Sequence, residues 1–258
     1  MLIKLSGWEN KYRMNYIYGL LMSWGMFTII PCPYKGWKEE ARGNMLVCFP
    51  VVGLFIGFIW YAVFKLTGFI PNSLRAVIIA IVPWLLTGFI HLDGYTDVCD
   101  AVMSRRDLET RQKILKDSRV GAFAVICICI LMLAQTGSSF SLLEVNDKHS
   151  LLALIFIPVA SRLSASFAVI NMKPMKTSQY SELIKRTQYN VILIIMMLIV
   201  IVLVFGVSVR AGISVISVII VYWICALYGY KMLDGMNGDI SGYALTISEL
   251  AGIIGLIL

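Results

Sequence analysis

Thr187-Gln188-Tyr189-Asn190-Val191-Ile192-Leu193-Ile194-Ile195-Met196-Met197-Leu198-Ile199-Val200-Ile201-Val202-Leu203-Val204-Phe205-Gly206-Val207-Ser208-Val209 runs without a single charged residue. A bilayer crossing needs about 20 apolar residues, and only a helix satisfies its own backbone in hydrocarbon. Uncharged blocks also run from Met14 to Tyr34, Gly43 to Phe64, Ala76 to Leu92, Val120 to Leu143 and Ala211 to Tyr230. Six blocks of that length cannot all be core helices of one globular domain. Composition agrees: apolar residues make up 59% of the chain and charged residues 14%, whereas a soluble surface needs about 25% charge. The expected fold is all-α, a polytopic membrane helix bundle forming one integral membrane domain over residues 1–258.

Spanning or partly embedded segments are expected near 14–30, 45–69, 74–91, 120–137, 150–171, 190–208, 211–230 and 243–258, about seven to eight in all. If all cross, the loops 31–44, 91–119, 172–189 and 231–242 share one face. Fourteen basic residues fall on that face, Lys185 and Arg186 among them, against seven on the other, including Lys4, Lys11 and Arg13. Excess Lys and Arg marks cytoplasmic loops, so loop 91–119 is expected on the cytoplasmic face of a bacterial or archaeal cell membrane. The net charge of +7 therefore reflects topology, and nucleic acid is not an expected partner. The first block is followed by Pro31-Cys32-Pro33, not by a small-residue cleavage site, and reads as a membrane segment. Six cysteines show no CxxC pairing and sit mostly in apolar blocks. They imply neither a disulfide framework nor a zinc site.

The densest polar stretch is His91-Leu92-Asp93-Gly94-Tyr95-Thr96-Asp97-Val98-Cys99-Asp100. On a helix, Asp93, Asp97 and Asp100 fall on one face. Like charges so placed repel, which is sustainable where a divalent cation sits among them. Hard carboxylate oxygens suit Mg²⁺, which commonly adds substrate phosphates to its ligands. The alternative is a solvated acidic helix end. Downstream, Lys116-Asp117-Ser118-Arg119-Val120-Gly121 follows Arg105, Arg106, Arg111 and Lys113. Carboxylates beside a basic cluster are the parts needed for phosphoryl transfer, although such a cluster also serves topology and lipid headgroups. Arg162 lies mid-span, where a basic side chain costs about 2.5–3.5 kcal/mol on insertion scales. It is expected to bind phosphate or to pair with an acid. His91 is a candidate base or ligand. Asn237 and Asp239, flanked by Gly235 and Gly238, form a weaker candidate phosphate contact.

These residues resemble the cobalamin synthase family, the adenosylcobinamide-GDP ribazoletransferases. His91-Leu92-Asp93-Gly94-x-x-Asp97-x-x-Asp100 and Lys116-Asp117-Ser118-Arg119-x-Gly121 carry the likeness. Thr28-Ile29-Ile30-Pro31-Cys32-Pro33, Pro158 with Arg162, and Asn237-Gly238-Asp239-Ile240-x-Gly242 with Glu249 agree in order and position. Ile29 stands where the family usually has Arg, Asp234 where it commonly has Gly, and Asn237 where it has Thr.

The resemblance implies the last joining step of coenzyme B12 assembly. The substrates would be adenosylcobinamide-GDP and α-ribazole or its 5′-phosphate, with Mg²⁺ as cofactor. His91, Asp93, Asp97 and Asp117 would be catalytic, and Asp93, Asp97 and Asp100 would be the metal set. Lys116, Ser118, Arg119, Arg162, Asn237 and Asp239 would face the substrate phosphates. A homo-oligomer is left open.

Two rival readings differ in class. A CDP-alcohol phosphotransferase uses Asp-Gly-x-x-Ala-Arg, but Asp97 stands where that alanine would be. An ion transporter would hold its carboxylates near the bilayer midplane, whereas the ones here are expected at helix ends.

Overall fold

The computed structural model describes residues 2–145, 147–176, 178 and 187–258, with side chains from residue 14 onward. Lys185, Arg186 and the side chains of Lys4, Lys11 and Arg13 lie outside that description. The described residues form ten α-helices: α1 Leu2–Phe27, α2 Arg42–Leu66, α3 Asn72–Leu86, α4 Ile90–Met103, α5 Leu108–Ile114, α6 Ala122–Leu142, α7 Ala153–Asn171, α8 Thr187–Val207, α9 Val209–Leu233 and α10 Gly238–Ile257. Six, namely α2 and α6 to α10, are long and apolar enough to cross a membrane. The all-α bundle follows from the uncharged blocks.

The helices differ in what covers them. In the most apolar stretch of α7, 89% of residues are buried inside the bundle, against 17% in α8. Ile194, Leu198 and Val202 of α8 point outward, as expected of a helix whose apolar surface faces lipid. α7 is the central post. It packs closely on α2 because Gly53 and Gly57 let the backbones meet: a Cβ on Gly57 would collide with the backbone of Ile155. Small residues four apart bring membrane helices to this kind of contact.

The spanning or partly embedded segment expected near 74–91 is broken in two. α3 and α4 meet at a 92° bend, with Phe89 in the left-handed region at φ 62°. α3 and α4 have 15 and 14 residues. At about 1.5 Å per residue neither reaches the roughly 30 Å of a hydrocarbon core. The bend therefore takes α4 and its aspartates out of a simple crossing and lays them against α10.

Three of the four loops expected on one face do meet. Gln112 donates to the Leu233 carbonyl at 2.8 Å, tying α5 to the end of α9. The Met236 N–H donates to the Lys173 carbonyl at 2.8 Å and the Met175 N–H to the Met236 carbonyl at 2.9 Å.

Candidate active site

Where α4 crosses the start of α10, the two backbones nearly touch. A Cβ on Gly94 would lie 2.8 Å from the Asp239 Cα, so only glycine allows this approach, and it brings Asp93 beside Asp239. Both line a cleft of about 640 Å³, its open mouth included, with His91, Ser241 and Gly242. Its other wall is apolar: Phe27, Leu46, Phe49 and Val169.

Asp97 sits one turn along α4 from Asp93. Its carboxyl is pushed up to about 7, first by burial and then by the charges of Asp93, Asp239 and Asp100. Among the described residues, no Lys or Arg forms an ion pair with Asp93, Asp97 or Asp239. Among them, too, no three His, Cys, Asp or Glu side chains lie close enough together to hold a metal ion. The chemistry of the donor set nonetheless fits a hard cation: carboxylates crowd one another with no basic partner to offset them.

Asp100, expected in the same set, is occupied otherwise. Its two oxygens accept the N–H groups of Gly121 and Ala124, capping the first turn of α6, where backbone donors lack helical partners. This bond anchors the basic segment 116–121 next to the Asp helix. That segment is an exposed rim beside the Asp helix: Lys116, Ser118 and Arg119 are exposed, and Arg119 grips Asp117 at 2.7 Å. Asp117 is pulled down to about 2 by those Arg119 hydrogen bonds. Its carboxylate is thus engaged by a neighbour on the same exposed segment.

Asn237 is the N-cap of α10. Its side-chain oxygen accepts the Ile240 N–H at 2.9 Å, and its amide donates to Asp239 Oδ2 at 2.7 Å. It orients Asp239 with one of its two amide N–H groups while capping α10. Asp239 belongs with Asp93, because a bare carboxylate repels a phosphate.

The expected phosphate role of Arg162 is corrected as well. It is fully buried and does not line the cleft. Its Nη1 donates to Glu249 Oε1 at 2.6 Å and to the Pro158 carbonyl at 3.1 Å, while Ser161 Oγ donates to the same Glu249 oxygen at 2.9 Å. This is the acidic-partner alternative.

Residues 19–257 match the pattern of the CobS family, described as cobalamin-5-phosphate synthase. The chain belongs to that family. It is 37% identical to an adenosylcobinamide-GDP ribazoletransferase of Clostridium botulinum (strain Alaska E43 / Type E3), over 93% of this chain and 96% of that one. It is 36% identical to the one of Clostridium perfringens (strain SM101 / Type A), over 90% and 94%. The Clostridioides difficile (strain 630) protein of the same name is 30% identical over 88% and 92%. No solved structure matches.

Family membership removes the CDP-alcohol and transporter readings, and the positions of the aspartates agree. Asp93 is the fourth residue of α4 and Asp239 the second of α10, both at helix ends. The Asp234 departure falls on the left-handed residue ending α9, at φ 56°, a position that favours glycine and tolerates Asp. Residue reasoning missed the aromatic wall. Phe27 and Phe49 sit in apolar blocks and look like any core ring.

Proposed function

We propose that the α4–α10 cleft joins adenosylcobinamide-GDP to α-ribazole, or to its 5′-phosphate, with release of GMP, as the names of the relatives indicate. A ribose hydroxyl oxygen forms a new bond to the cobinamide-bound phosphorus. The bond from that phosphorus to the bridging oxygen breaks, and the oxygen leaves on GMP. The hydroxyl proton passes to Asp239 Oδ1. Oδ2 of that residue is held by Asn237, which aims the other oxygen.

Asp93 and Asp97 would hold Mg²⁺, which when bound supplies positive charge against the pyrophosphate oxygens. Lys116 and Arg119 at the rim offset the negative charge of the incoming substrate. His91 completes the polar wall beside Asp93. The active-site face is cytoplasmic, supported by the eleven basic residues of loops 91–119, 172–189 and 231–242 against Lys148 and Arg210 in the loops that alternate with them.

The crowding of unpaired carboxylates at Asp93, Asp97 and Asp239 carries this reading. Purified protein in detergent, given adenosylcobinamide-GDP and α-ribazole with Mg²⁺, should release GMP, and a chelator should stop it. No release with either α-ribazole or its 5′-phosphate would overturn the activity. Release undiminished by chelator would overturn the metal.

A further inference from the structure

The cleft has two chemically different ends, and the proposed transfer uses only one. Asp93, Asp239 and Ser241 line the first; Phe27, Leu46, Phe49 and Val169 line the second, with His91 at the junction. The Phe27 and Phe49 rings lie 4.1 Å apart, and each lies 6.0 Å from the His91 imidazole. His91 is 8% exposed, and its Nε2 is buried with no hydrogen-bond partner. Buried polar atoms are nearly always paired. An orphaned nitrogen on a cleft wall, beside two aromatic rings, is a contact that a ligand completes.

We infer that this end holds the heteroaromatic base of α-ribazole, packed against Phe27 and Phe49, with its free ring nitrogen accepting a hydrogen bond from His91 Nε2–H. The inference rests on the proposed activity and assigns the apolar half of that cleft. A second flat candidate is the guanine of adenosylcobinamide-GDP. Guanine carries a carbonyl, an amino group and ring N–H along its edge, and each would need a partner. Of the residues that line this end, His91 alone offers a polar side-chain atom, so guanine would be buried largely unsatisfied. A benzimidazole-type base needs only one such contact. Seated there, its ribose extends toward Asp93 and Asp239, where the hydroxyl must react. His91 then recognises the acceptor and takes no part in moving its proton.

The test has a kinetic and a binding arm. In GMP-release kinetics, Phe49→Leu should raise KM for α-ribazole about tenfold, the scale of losing a stacked ring, and leave KM for adenosylcobinamide-GDP near the parent's. The parent should also prefer α-ribazole to its indole isostere, in which a carbon replaces the free ring nitrogen. His91→Phe should collapse that preference, which a merely structural histidine would not do. Equilibrium binding of α-ribazole to the parent alone should be competed by benzimidazole and not by guanosine. A rise in KM confined to adenosylcobinamide-GDP, a preference unchanged in His91→Phe, or displacement by guanosine would each overturn the assignment. A parent that binds α-ribazole but releases no GMP would overturn the activity instead. Competition in the binding arm still decides this site if either variant fails to fold.

Discussion

Two arginine–carboxylate pairs of nearly equal length sit in opposite surroundings. Arg162 and Glu249 are 2.6 Å apart with side chains 0% and 5% exposed; Arg119 and Asp117 are 2.7 Å apart at 87% and 36%. Length does not distinguish them, but solvent does. In the bundle, each charge of the first pair has lost its water and depends on the other. At the rim, water and salt screen the second pair, and either partner can leave it. The contrast extends to Asp93, Asp97 and Asp239, which have no basic partner among the described residues. A paired buried charge is committed to the fold, a paired exposed charge can be reassigned to a ligand, and an unpaired cluster awaits one.

The largest effect should come from breaking the buried pair. Arg162→Leu leaves Glu249 charged and unpaired, a loss typically worth about 3–5 kcal/mol. Thermal unfolding in detergent should show a strongly destabilised protein. The double variant Arg162→Leu with Glu249→Leu should recover most of the loss, since two apolar side chains need no partner. A single variant as stable as the parent would erase the distinction between the two pairs.

Next come the unpaired carboxylates. Asp93→Asn and Asp97→Asn each remove a negative charge without changing shape. Each should cut GMP release about 10²–10³-fold, as losing one electrostatic contact in a transition state does. Stability should be unchanged or slightly improved, because like charges are relieved. Turnover across a Mg²⁺ titration, with unfolding measured in parallel, checks both halves. Near-parental rates would place these residues with the solvated charges.

How far the sequence anticipates this depends on how local each feature is. α8 Thr187–Val207 lies almost where its uncharged block predicts, because hydropathy along one helix is local information. The Asp93–Asp97 spacing is local too, and both fall on α4. The break between α3 and α4 depends on packing against α10, and Gly88 alone does not announce it. The mid-span cost of Arg162 is legible, but its partner Glu249 lies 87 residues away. The same holds for Asp100, whose acceptor role depends on N–H groups 21 and 24 residues downstream. For Arg162 and Asp100 the deciding partner comes from another helix, which no local pattern announces.

Asp100 supplies the intermediate case. Asp100→Ala removes the side-chain cap of α6, a change generally worth about 0.5–2 kcal/mol. It should also release segment 116–121 from the Asp helix, so amide exchange at Gly121 and Ala124 should rise well above the parent's. KM should increase with kcat less affected, since the rim gathers substrate and the carboxylates perform the chemistry. A kcat loss as large as that of Asp93→Asn would return Asp100 to the metal set.

The smallest effect should come from Asp117→Asn. Arg119 holds the Asp117 carboxyl down at about 2, below its ordinary value, so folding favours the ionised form. That contribution is fully present above the ordinary carboxylate range and is lost only as the pH falls through about 2. Between pH 5 and 9 it is constant, and in this exposed setting it is small. Melting curves of Asp117→Asn and the parent should therefore coincide across that range and be insensitive to added salt. The kinetics should reveal more, because the substitution frees Arg119. If Arg119 meets a substrate phosphate, loss of its resting partner should lower KM for adenosylcobinamide-GDP, most visibly at low ionic strength. A raised KM would mean that Asp117 orients Arg119 for the substrate, and the pair would then act as one positioning unit. A strongly lowered kcat with KM unchanged would return Asp117 to the proton-transfer chemistry that its motif first suggested.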